Sequence, residues 1–69
     1  MKTYINNDIR EAAIEVYKQY TYRKESVERN MRSYISTGKE IYKNNAIRWT
    51  ALAKQSKAEL VRMMSLVQN

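Results

Sequence analysis

Ser36-Thr37-Gly38-Lys39-Glu40 holds the single glycine of a 69-residue chain that contains no proline. Gly and Pro interrupt regular structure most strongly, so their scarcity favours long helices broken once, near the midpoint. Gly38 can adopt the left-handed conformation that ends a helix. Thr37, with Glu40 three residues on, can instead cap the next one. Either reading turns the chain at 37–39.

Outward from the turn, both halves carry helical periodicity. After it, Tyr42, Ala46, Trp49, Ala53, Ser56, Leu60, Met63 and Val67 alternate in steps of four and three. That is the spacing of a helix packed lengthwise on a neighbour. Before it, Ala13, Tyr17, Tyr20, Lys24, Val27, Met31 and Tyr34 do the same, flanked by Ile9 and Val16. Neither set fits the every-second-residue pattern of a strand. Asp8 with Glu11 reads as a helix start, because the Asp oxygen can accept from a first-turn N–H. The spacing therefore predicts one all-α domain: a lead-in over 1–7, a helix over 8–36, a turn at 37–39 and a helix over 40–67.

Folding these helices back as an antiparallel hairpin pairs Tyr34 with Tyr42, Met31 with Ala46, Val27 with Trp49, Tyr17 with Leu60 and Ala13 with Met63. The first helix has one weak point, residues 21–25, where Thr21 is a poor helix former and Lys24 falls on the seam. The unbroken hairpin is the expected form. A break would give three helices, and Tyr22–Arg32 would then resemble the recognition helix of a helix-turn-helix motif. Its turn would hold no glycine, and Tyr17 would fill the tight position between the helices.

Two helices cannot enclose this much apolar surface. Ile14, Ile35, Ile41, Ile47, Leu52, Val61, Met64 and Leu66 lie beside the seams. A chain of this length is near the lower limit for independent folding. With neither Cys nor His, disulfides and the commonest zinc sites are excluded. Association remains: a second copy, giving a homodimeric four-helix bundle, or a different protein.

The same composition leaves few ways to build a general base, so no enzyme, cofactor or metal is expected. Ser36-Thr37-Gly38-Lys39 lacks the upstream glycine and preceding strand of a phosphate loop. The N-terminus lacks the apolar core of a signal peptide, and no apolar run is long enough to span a membrane; the expected location is the cytoplasm.

Thirteen Lys and Arg against seven Asp and Glu give a net charge of +6 and a pI near 9.8. Residues 1–22 are neutral, 23–48 carry +4 and 49–69 carry +2, so the positive field is strongest toward the turn. Glu25–Arg29 and Glu28–Arg32 have the spacing and order of intrahelical ion pairs. Two functional classes fit. In one, favoured by charge, a self-associating regulatory protein grips nucleic-acid phosphates through Lys39, Lys43, Arg29, Arg32 and Arg48, and Tyr34 and Tyr42 could stack on bases. In the other, an adaptor or inhibitor docks an amphipathic helical face on a partner protein. The candidate packing or partner-interface residues are Tyr20, Val27, Met31, Tyr34, Tyr42, Trp49, Leu60, Met63 and Met64.

Overall fold

A computed structural model describes the backbone of residues 2–67 and the side chains of residues 8–66. Two helices, α1 (Lys2–Thr37) and α2 (Glu40–Val67), form an antiparallel hairpin, and no strand occurs among the described residues. Helix α1 runs unbroken through Thr21–Glu25, which removes the three-helix form and the helix-turn-helix reading with it. The side chains of Tyr20 and Lys24 reinforce this stretch, with the Lys24 ammonium 5.5 Å from the Tyr20 ring centroid.

The expected lead-in is corrected. Residues from Lys2 onward are helical, so Asp8 and Glu11 lie inside α1; Met1 is outside the described residues. A capping pair marks a start only where the residues before it resist helical dihedrals, and no Pro or Gly precedes Asp8.

At the turn, the glycine signal operates and Thr37 bonds on either side of it without Glu40. Gly38 has φ +72°, and its N–H donates to the Tyr34 carbonyl at 2.7 Å, the single-bond left-handed helix end. Thr37 Oγ1 donates to the Ser33 carbonyl at 2.8 Å and accepts the Lys39 N–H at 3.2 Å. Tyr42 N–H to the Lys39 carbonyl, 3.2 Å, opens α2. Glu40 does not close a box with Thr37; it pairs with Lys43 at 3.8 Å.

The interior is a seam of small residues. Ala46 and Ala53 are its buried apolar members, and Ser26 and Ser56 its buried polar ones, Ser56 at 1 % exposure. Small side chains allow the two backbones to approach closely, and polar ones are tolerated there only when bonded. Ser26 Oγ donates to the Tyr22 carbonyl at 3.0 Å, and Asn30 Nδ2 to the Ser26 carbonyl at 2.7 Å. Arg23 crosses between helices: its Nη1 lies 2.8 Å from both the Leu52 carbonyl and Ser56 Oγ. No buried side-chain N or O among the described residues lacks a partner.

The seam expected on α2 is the observed one, from Tyr42 through Met63; the Val67 side chain lies outside the described set. On α1 one row is correct and one is not. Ala13, Tyr20, Val27 and Tyr34 face inward as expected. Their companions are Val16, Arg23 and Asn30, whereas Tyr17, Lys24 and Met31 are exposed, Tyr17 at 59 %. Both choices alternate in threes and fours. Close approach of the helices selects the row that Ser26 adjoins and whose polar members can hydrogen-bond, over the bulkier one.

Of the expected pairs, Tyr17 and Leu60 line one cavity together; Met31 is exposed and does not join Ala46 in the seam; Val27 lines a cavity with Thr50 and Ala53. Trp49 departs from its expected partner. Its ring meets Tyr22 edge-on, with centroids 5.7 Å apart and planes at 84°; the indole is too large for a seam this narrow and turns to the flank of α1 opposite Val27.

The hairpin is long and thin, 55 × 13 × 12 Å, with a radius of gyration of 15.8 Å; a compact domain of this length has about 11 Å. No helix among the described residues is long and apolar enough to cross a membrane.

Candidate functional site

One flank of the hairpin carries a continuous shallow groove. Tyr20, Lys24, Val27 and Glu28 of α1 face Thr50, Ala53, Lys54 and Lys57 of α2 across a depression of about 320 Å³. Tyr17, Leu60, Val61, Met64 and Ser65 bound a second one of about 480 Å³, which shares Lys57 with the first. Ile47, Thr50, Ala51 and Lys54 extend it toward the turn. On α2 the groove runs from Ile47 to Ser65, about 27 Å at 1.5 Å per residue.

Heptad spacing explains the walls. On α1, Tyr17, Lys24 and Met31 share a stripe; on α2, Ile47, Lys54 and Val61 share one, and Thr50, Lys57 and Met64 another. The α1 stripe is the row that the sequence assigned to the seam. Every stripe holds a lysine in the middle, between larger apolar residues on α1 and on the first α2 stripe. The antiparallel register brings Lys24, Lys54 and Lys57 to one level, where they line the same depression with Glu28 as its acid. Thr50 Oγ1 donates to the Ala46 carbonyl of its own helix at 2.8 Å.

The apolar members of this flank are well exposed: Val61 at 61 %, Met64 at 56 % and Ile47 at 60 %. Ile14, Ile35, Ile41 and Leu66 are exposed as well. The whole chain exposes 5563 Å², about 1,000 Å² more than the ~4,500 Å² of a compact protein of this mass.

The five cations assigned to nucleic acid are divided between α1, the turn and α2. Arg29 and Arg32 line a shallow surface with Glu25 and Glu28. None of these four comes within 4.0 Å of an opposite charge; the ion pairs among the described residues are Lys18–Glu15 and Lys43–Glu40, each 3.8 Å. Lys39 is exposed at the turn. Lys43 and Arg48 are both exposed, but five positions separate them, about 140° around α2. Of the interface candidates, Tyr20, Val27, Tyr34, Tyr42, Trp49, Leu60 and Met63 are half-buried, and Met31 and Met64 are exposed.

Arg23, which bridges the two helices, and Ser26 and Asn30, which bond within α1 beside it, were not among the sequence candidates. Their polarity hid them, and the available signal was that 16, 23 and 30 satisfy the same spacing as 17, 24 and 31.

Comparison with known protein families, with curated proteins and with solved structures finds no significant match.

Proposed function

We propose that this chain is a small non-enzymatic binding protein that docks on another protein through the groove flanked by Tyr17, Val27, Val61 and Met64. One observation carries the reading: an apolar flank stays open on a folded hairpin whose polar seam groups are all bonded. The test is binding of an environment-sensitive apolar dye by the monomeric fraction, for the parent and for Val61→Glu with Met64→Glu. The reading expects dye binding that the double variant loses with its helicity unchanged. A parent that binds no dye as a folded monomer contradicts it.

A second reading, nucleic-acid binding, is favoured by Lys39, Arg29, Arg32 and Arg48, which have no carboxylate within 4.0 Å among the described residues. It requires log affinity for DNA or RNA to fall with log salt by about 0.9 per neutralised phosphate. Removing Lys39 and Lys43 should then flatten the slope. Salt-independent or absent binding contradicts it.

A further inference from the structure

We infer that the occupant of the groove is an amphipathic helix of an acidic partner, which completes a three-helix bundle and places carboxylates against Lys24, Lys54 and Lys57. This rests on the docking reading and adds to it the partner's chemistry and register.

Three facts point to this occupant. The part of the groove walled by both helices runs from Thr50 to Ser65 on α2, about 22 Å or the span of about 15 helical residues, and Ile47 and Ala51 continue it along α2 alone. Its polarity is ordered along its length: Tyr17, Leu60, Val61 and Met64 form the apolar end remote from the turn. The three lysines follow at mid-groove, and Ile47 lies beyond them toward the turn. A helix that matches it carries apolar residues about one heptad to either side of an acidic centre. The third fact is charge. Glu28 offsets one of the three lysines, leaving the centre positive on a chain of net +6.

The same arrangement argues against a second copy as the occupant. Two copies related by a two-fold axis at mid-groove would set Lys24, Lys54 and Lys57 against their own counterparts, and like charges brought together at an interface are repulsive. An acidic helix instead meets each lysine with an opposite charge. The lysine stems are long enough to follow the apolar walls while their ammonium groups stay at the rim.

The experiment uses three synthetic helical peptides of about three heptads with one shared apolar stripe. One carries Glu at the centre, one carries Lys there, and one has the same Glu residues moved to its ends. Binding to the full chain is measured by calorimetry, with light scattering to record stoichiometry. The centrally acidic peptide should bind one-to-one and roughly tenfold or more tighter than the basic one, the sum of several rim pairs. Charge reversal of Lys24, Lys54 and Lys57 to Glu should invert that order. All three lysines are exposed, and circular dichroism checks that the variant is folded.

Equal affinity for all three peptides would overturn the lysine inference and leave the docking reading standing. Binding to none, with Val61→Glu and Met64→Glu without effect on any apolar probe, would remove both. A stable dimer that the charge-reversed lysines dissolve, or nucleic acid that competes through them, would replace the acidic helix as the occupant and overturn the inference.

Discussion

Arg23→Met tests the link between the seam and the stability of the hairpin. The substitution keeps an unbranched apolar stem of similar reach and deletes the guanidinium. Two hydrogen bonds at 2.8 Å are lost, to the Leu52 carbonyl and to Ser56 Oγ. A hydrogen bond from a charged donor contributes about 1.5–3 kcal/mol net, and partial exposure of Arg23 puts the pair near the lower end. Ser56, nearly fully buried, also loses its cross-helix partner. The expected loss is about 2 kcal/mol, or ~8–16 °C in Tm for a domain of this size. That is about half of what a single small core supplies.

The assay is thermal and urea unfolding followed by far-UV circular dichroism, with Ser56→Ala and the double variant completing a cycle. Ser56→Ala alone should cost less, because Arg23 keeps the Leu52 carbonyl. The double variant should be little worse than Arg23→Met, with a coupling of about 1 kcal/mol. An Arg23→Met chain within about 0.5 kcal/mol of the parent, or a strictly additive cycle, would refute the assignment of Arg23 as an interhelical clasp.

Gly38→Ala has open space around its new Cβ but must hold φ +72°, so it should cost about 1 kcal/mol and lower Tm by ~4–8 °C, with Gly38→Asn milder. Ala53→Leu should overpack the seam and cost about 1–3 kcal/mol, whereas Ala58→Leu on the exposed face should stay within ~0.5 kcal/mol; equal effects in a melting experiment would contradict the close helix approach. Tyr22→Ala should open one side of Trp49 and shift its fluorescence to the red; an unchanged spectrum would argue against the edge-on pair.

The turn and the α2 seam were legible because their signals are local. One glycine in a chain without proline can end a helix in few places, and Tyr42 through Met63 keep one spacing without a competing row. Helix α1 offered two rows of equal period. Hydropathy ranks Tyr17 and Met31 above Arg23 and Asn30; partners reverse that ranking, the Leu52 carbonyl and Ser56 Oγ of α2 for Arg23 and the Ser26 carbonyl of α1 for Asn30. Tyr17 and Lys24 of the misassigned row line the groove instead, so that row is the one with functional interest. Cation clustering was less legible still. Residues near in number, such as Lys43 and Arg48, point to different sides of a helix, and Glu40 holds Lys43. The start at Asp8 was misplaced because no Pro or Gly precedes it to stop the helix, which runs from Lys2.

The most direct test of the open groove is a two-dimensional amide titration of the isotope-labelled chain with the centrally acidic peptide. The account predicts shifts concentrated at Tyr17, Tyr20, Lys24, Val27, Ala53, Val61 and Met64, with Tyr22, Arg29, Arg48 and the turn little moved. Shifts centred on Arg29, Arg32, Lys39 and Lys43, or spread evenly along both helices, would contradict it.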